Sequence, residues 1–328
     1  MRILVLADIH SNWPALAAIQ ETFDVCLFVG DLVDYATDPV PCVEWVRKHA
    51  TVGVRGNHDH AVAQRIAVKK SHGLHRLAAA TRPLHWQVLS PAHMKFLTRL
   101  PVTRRVTIDE ARFFLVHATP RDPFDEYLKD DPKAWTERLQ GIEADFVLVG
   151  HSHLPFVLEL EHTTVINPGS VGQPRDGDPR AAYAIIDNGR VELRRVEYDI
   201  EATLKHMRAC GVDPLTMDLA TAVLRKGGQL DGDDPVRARL RDNGQAQTSP
   251  VSVERIKRPT AIERRKREPD VVDDLADTIE LKVFSPPPTL SETTEFDFQL
   301  DDPSGINIGD TTELEVPMEL RLPDAPAE

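Results

Sequence analysis

The chain has 328 residues, 41% of them hydrophobic, which is enough for the core of one large domain or two small ones. The net charge is −13, but residues 233–328 carry 22 acids against 12 bases, so the first 232 residues are nearly neutral with 30 acids and 27 bases. A body without surplus basic residues argues against binding driven by nucleic-acid backbone charge, while leaving room for small phosphorylated molecules at a metal.

Arg2 to Ala7 is an apolar run of the buried-strand type, followed by a loop and by Asn12-Trp13-Pro14, which can cap and open a helix to about Phe23. The unit recurs as strand Val25 to Val29, helix from about Pro41 to His49, and strand Thr51 to Val54. Such alternation predicts an α/β architecture. Residues 60–98 read as helical, with a restart at Ser90-Pro91, and are expected to cap one side of a site. From Val102 the pattern shifts to strands: Val102 to Ile108, Arg112 to His117, Phe146 to Val149, Phe156 to Leu160, Thr164 to Ile166, Ala181 to Ile186 and Val191 to Tyr198. These suffice for a second sheet. Helices at about Ile200 to Cys210 and Pro214 to Arg225 close a domain spanning residues 1–232.

Residues 233–328 form a charged tail of low expected structure, basic over 253–267 and acidic over 268–328, with a short strand conceivable at Glu313 to Leu322. Its two halves could bind each other or a partner; solvated disorder is the simpler expectation. Cys26, Cys42 and Cys210 form no paired pattern, which fits core thiols in a reducing compartment. The first apolar run meets Asp8 after five residues, and no run approaches the ~20 apolar residues of a membrane span. Neither signal peptide nor membrane association is therefore expected, and the expected location is cytoplasmic.

Five short strings occur where these strands end: Asp8-Ile9-His10, Gly30-Asp31-Leu32-Val33-Asp34, Gly56-Asn57-His58-Asp59, His117, and Gly150-His151-Ser152-His153. A lone Asp or His at a strand end is usually solvated or capping. Here Asp-x-His and His-x-His are each expected to put two ligands on one side of the backbone by strand alternation. Glycines 30, 56 and 150 let the chain turn tightly before Asp31, Asn57 and His151. Imidazole and oxygen donors without thiolate suit manganese, iron, zinc or nickel rather than calcium.

In this order the strings resemble the DxH, GDxxD, GNHD, His and GHxH pattern of the calcineurin-like metallophosphoesterases. The likeness is greatest to small prokaryotic phosphodiesterase types, through Asn167 to Ser170 and Gln173 to Asp178, and covers roughly residues 1–230. It implies a four-layer αββα fold, a two-sheet β-sandwich flanked by helices. It implies one metal held by Asp8, His10, Asp31 and His153, and a second by Asp31, Asn57, His117 and His151, with Asp31 bridging. Two divalent ions, manganese foremost, about 3.5–4 Å apart would activate a shared hydroxide for attack on phosphorus.

His58, the histidine left over, would protonate the leaving oxygen or stabilise charge. Asp34 resembles the aspartate that pairs with such a histidine in phosphoprotein phosphatases; capping of the next loop is an equal alternative. For Asp59, helix capping is expected. Arg55 and Arg175 could reach a phosphate, although a surface ion pair is the plainer expectation for each. Tyr35 stands where serine/threonine phosphatases carry arginine, which favours phosphodiester or nucleotide substrates over phosphoproteins. Alternatives are a dinucleoside polyphosphate hydrolase, a serine/threonine phosphatase, or a catalytically silent scaffold like the retromer subunit that shares this fold. Histidines 49, 60, 72, 75, 85, 93, 162 and 206 have no ligand spacing, with a reservation for His72 and His75, and Trp13 is expected to pack rather than stack on a base.

Overall fold

A computed structural model describes residues 1–69, 73–229 and the strand 279–281. Two mixed sheets dominate it. The first has five strands in the order β10-β9-β1-β2-β3, formed by Arg190–Val196, Ala181–Asp187, Arg2–Leu6, Val25–Phe28 and Val52–Gly53. The second has the order β11-β4-β5-β6-β8-β7, formed by Ile279–Leu281, Thr103–Ile108, Ala111–Val116, Phe146–Leu148, Thr164–Asn167 and Phe156–Glu159. Within the sheets β1, β2 and β3 run parallel, as do β5, β6 and β8, so their carboxyl ends lie along common edges.

The apolar alternation of β1 and β2 explains the layering. Ile3, Val5, Val25 and Leu27 pack with Val106, Phe113, Leu115, Leu148 and Ile166 to form the core between the sheets. Leu4, Leu6, Cys26 and Phe28 point the other way, into helices α1 (Trp13–Ala17), α2 (Pro39–His49) and α5 (Pro91–Arg99). On the outer face of the second sheet, Phe114, Val116, Val147 and Val165 cover the buried Trp135 of α6 (Pro132–Arg138). Strand residues are thus buried on both faces, as the continuous apolar runs require, each large aliphatic contributing about 1.5–3 kcal/mol of burial. This is the four-layer αββα sandwich expected from the motifs.

A separate apolar cluster joins α4 (His75–Val88), α7 (Ile200–Ala209) and α8 (Pro214–Arg225) and reaches Tyr35. Several bounds differ from expectation. Helix α1 ends at Ala17 rather than near Phe23, with Ala18 as its C-cap. Residues 60–98 divide into α3 (Asn57–Ala63), α4 and α5, because Gly73 and the Ser90 cap punctuate the run. Helix α6, between β5 and β6, was not anticipated; Asp131 caps it and Pro132 opens it. Nor was β11, which pairs parallel to β4 from Ile279↔Val106 to Leu281↔Ile108.

Cys26 and Cys42 are buried in the core, and burial pushes the Cys26 thiol up to about 12. Cys210 departs from the core expectation, being half-buried at the end of α7 beside His206. Trp13 packs against the first core, as expected. No helix among the described residues is long and apolar enough to cross a membrane. The described residues all belong to one compact unit, Met1–Ser285. The conceivable strand at 313–322, the basic stretch of the tail, the acidic stretch apart from β11, and His72 lie outside the described residues.

Candidate metal centre

Each motif begins just past the carboxyl end of a strand: Asp8 after β1, Asp31 after β2, His117 after β5, His151 after β6, while Asn57 opens α3 after β3. The ligands are not aimed by strand alternation, however. Asp8, His10, Asp31, His151 and His153 all have left-handed backbones, with φ of 54°, 49°, 58°, 62° and 59°. This conformation costs a non-glycine residue roughly 1–2 kcal/mol, and its concentration here marks strained turns imposed by the surrounding structure.

Specific hydrogen bonds hold these turns. The N–H groups of Asp8 and His10 donate to the carbonyls of Gly30 and Asp31 at 2.9 and 3.0 Å. Asp59 accepts from the N–H groups of Gly56, Asp31, Leu32 and Val33 at 3.0, 2.9, 2.8 and 3.3 Å. It therefore caps α3, as expected, and also clamps the Asp31 loop. Asn167 donates to the Gly150 carbonyl and Ser152 Oγ at 2.7 and 3.0 Å, securing the His151–His153 turn. Gly56 is needed for close approach, since a Cβ there would lie 2.1 Å from Asp31 Oδ1.

The buried side chains of Asp8, His10, Asp31 and His153 place one donor atom each within 4.8 Å of one another, and Asp31, His117 and His151 form a second such group. Asn57 Oδ1 lies 3.2 Å from His117 Nε2, beside that second group. The two clusters share Asp31, and together they contain six of the seven expected ligands, with Asn57 beside the second.

The protonation pattern of these groups calls for a cation. His10, His117 and His153 each direct Nδ1 at a backbone carbonyl, of Val33, Val29 and Gln173, at 3.0, 2.8 and 2.6 Å. A carbonyl only accepts, so each Nδ1 carries a proton and, in the neutral ring, each Nε2 presents a lone pair. Yet His10 Nε2 and His153 Nε2 are 3.1 Å apart, and His117 Nε2 is 3.1 Å from Asp31 Oδ2. Asp8 Oδ2 and Asp31 Oδ2 are buried without a hydrogen-bond donor. Facing lone pairs and bare carboxylate oxygens are resolved by a metal ion, which these residues fit.

Burial lowers His10 to about 3 and His151 to about 4, and holds His153 well below the usual imidazole range, so all three are neutral ligands near pH 7. Burial also pushes Asp8 up to about 7, and a neighbouring cation would reverse that. At His117 burial opposes charge but Asp31 outweighs it, raising the ring to about 9: the shared carboxylate demands positive charge at this point.

His58 belongs to neither cluster. Its Nδ1 lies 2.7 Å from Asp34 Oδ2, while its own N–H donates to Asp31 Oδ1 at 2.9 Å. Burial works against a charged His58, but Asp31 and Asp34 overcome it and raise the ring above its ordinary value. Asp34 is fully buried and reaches past His58 to Arg82 of α4. The Arg82 Nε donates to both carboxylate oxygens at 3.2 and 3.0 Å, and Nη2 bonds Oδ2 as well. His85, one turn along α4, accepts from the Asp34 N–H at 3.2 Å and bonds the Ala36 carbonyl at 3.0 Å. Arg82 and His85 were not anticipated, and no local signal marks them: they lie 48 and 51 residues from Asp34.

Among the described residues, neither arginine singled out in the sequence forms the surface ion pair expected of it. Arg55 donates to the Thr98 carbonyl at 3.2 Å. Arg175 donates to Tyr35 Oη at 3.4 Å and Gln173 Oε1 at 3.2 Å, at the edge of the metal ligands. Tyr35 itself is buried, its ring 4.4 Å from that of His10 and 4.5 Å from that of His58.

Known proteins resemble this chain in sequence and fold. The family model of the calcineurin-like phosphoesterase superfamily domain matches residues 1–189. The chain is 34% identical over 226 residues to the protein MJ0912 of Methanocaldococcus jannaschii, covering 61% of this chain and 88% of the relative. It is 25% identical over 204 residues to the phosphodiesterase YfcE of Escherichia coli, covering 57% and 88%. The crystal structure of a metallophosphoesterase from Sphaerobacter thermophilus superposes with a TM-score of 0.58 at 34% identity, over 69% of this chain and 99% of that one. Motifs, fold and relatives agree: the chain belongs to the calcineurin-like phosphoesterase superfamily and is a phosphoester hydrolase with a candidate metal-binding site.

Proposed function

We propose that the protein is a dinuclear metal-dependent phosphoesterase that hydrolyses a phosphodiester or nucleotide-type phosphoester. The observation that carries this reading is the pair of ligand clusters sharing Asp31, with His58 beside them and outside both. Two divalent ions, manganese foremost, would supply an acidified water as nucleophile and neutralise the phosphoryl oxygens. Asp8, His10 and His153 would hold one ion, Asn57, His117 and His151 the other, and Asp31 both.

His58 acts from the protein side. Asp34 occupies its Nδ1, which leaves Nε2 to give a proton to the departing oxygen. Asp34 keeps that ring oriented and favours its charged form. The phosphodiesterase YfcE among the relatives, together with Tyr35 in place of an arginine, supports a small phosphodiester or nucleotide over a phosphoprotein. The partner is thus a small phosphorylated molecule rather than a membrane or nucleic acid.

The test is turnover of bis-p-nitrophenyl phosphate and p-nitrophenyl phosphate by protein reconstituted with Mn²⁺, Ni²⁺, Co²⁺ or Zn²⁺, followed by cyclic nucleotides, dinucleoside polyphosphates and phosphopeptides. Hydrolysis with Mn²⁺ is expected. Absence of turnover with all four metals, in protein that binds fewer than one ion per chain, would favour a silent scaffold.

A further inference from the structure

We infer that Arg175, laid across Tyr35, is the protein's own anion-binding group, which takes a phosphoryl oxygen of the substrate or a free phosphate beside the metal ligands. This assignment rests on the phosphoesterase reading above. The guanidinium carbon lies 5.9 Å from the centroid of the Tyr35 ring, and that ring lies against both His10 and His58. Gln173, the other Arg175 partner, is also the residue whose carbonyl accepts from His153. Arg175 is therefore one residue removed from His10 and His58, through Tyr35, and from His153, through Gln173.

Its hydrogen bonding is incomplete in a way that fits a ligand. Nε is buried without a partner, and Nη2 makes two bonds to neutral oxygens, at 3.2 and 3.4 Å. Among the described residues no carboxylate lies within ion-pair distance of it, whereas Arg82, Arg138 and Arg195 each have at least one. A guanidinium with a free buried N–H and no counter-charge is suited to bidentate binding of phosphate.

The loop that carries Arg175 is fixed rather than free. The Gly177 N–H donates to the Gly227 carbonyl at 3.0 Å, just past α8, and Arg195 pairs with both Asp176 and Asp178. The chain comes so close that a Cβ on Gly228 would lie 2.7 Å from Arg175 Cα. Residues 227 and 228 lie beyond the family-matched segment 1–189, so a part of the chain outside that segment holds the arginine in place. A side chain positioned in advance binds with less ordering cost.

The experiment uses full-length protein reconstituted with Mn²⁺ and measures inorganic phosphate binding by calorimetry, metal stoichiometry by elemental analysis, and bis-p-nitrophenyl phosphate hydrolysis in the same preparations. Arg175→Gln is expected to weaken phosphate at least ~10-fold, the loss of one charge-assisted bidentate contact, with metal content unchanged. Arg175→Lys, which keeps the charge but not the fork, should fall between. Wild-type phosphate affinity in Arg175→Gln, or no phosphate binding by the wild type, overturns the assignment. If Arg175→Gln does not fold, Arg175→Lys decides, and affinity equal to wild type overturns it. A wild type that turns over while Arg175→Gln binds phosphate normally sinks this inference alone; Arg175-dependent phosphate binding without any turnover sinks the enzymatic reading instead.

Discussion

Replacing Arg82 by Gln tests whether the Asp34 charge is held from behind as well as by His58. Asp34 is 0% exposed and the Arg82 side chain 8%, and the guanidinium meets both carboxylate oxygens through Nε while Nη1 donates to the Ile66 carbonyl at 2.8 Å. Removing one partner of a buried ion pair costs about 3–5 kcal/mol. Glutamine retains at most one neutral hydrogen bond, and His58 remains as a partner, so we expect the lower end, about 3 kcal/mol. That is within the ~5–15 kcal/mol of a typical domain, so the variant should still fold.

Urea unfolding of chelator-treated protein at pH 7 reads the loss without the added stability of metal binding. The double variant Arg82→Gln with Asp34→Asn should be less destabilised than the sum of the single variants, because it leaves no buried charge alone. In the metal-loaded enzyme, loosening of His58 should depress hydrolysis of alkyl esters more than of p-nitrophenyl esters, which leave without help from an acid. A single variant within about 1 kcal/mol of the wild type, the order of a surface pair, would show that Arg82 does not support the dyad.

His58→Ala should retain both metals by elemental analysis while kcat falls by ~10²–10⁴, and a parallel loss of metal would show that His58 is a ligand. Gly56→Ala would drive a methyl group into Asp31 Oδ1; metal affinity should collapse, and normal Mn²⁺ titration would contradict the close approach. Glu21 accepts from Arg2, Arg194 and Tyr183 at 2.6, 2.7 and 2.9 Å, and these bonds outweigh burial to lower its carboxyl below the ordinary value. The stabilisation is therefore fully present above about pH 4.3, the unfolded value, and disappears as pH falls through the lower folded one. Glu21→Gln should cost about 1 kcal/mol at pH 7, discounted for partial exposure of both arginines, with the gap from wild type closing below pH ~4; a gap independent of pH would rule out the charge as its source.

Much of the molecule was legible in the chain because the relevant signals are local. Continuous apolar runs such as Arg2 to Ala7 and Val25 to Val29 announce strands buried on both faces, and they end in Asp8 and in the Gly30-Asp31 turn, whose chemistry can be read in place. Helix α6 escaped notice although Asp131 and Pro132 signal its start, since the surrounding stretch has no strong period. The convergence of Asp8 and His10 was anticipated with the wrong cause: left-handed backbones, which no composition rule reports, aim them.

By itself, then, the sequence determined the two-sheet α/β class and singled out the motif residues, six of which the fold gathers into two potential metal-binding groups, because residue type, spacing and the family resemblance carry that information. Tertiary structure alone decided how those groups are held and charged. Arg82 and His85 come to Asp34 from a helix about fifty residues away, Asp59 clamps the Asp31 loop, and Arg175 turns from a surface ion pair to the edge of the site. Burial and partnership set protonation, and both depend on what the folded chain brings within a few ångströms, which no window along the sequence contains.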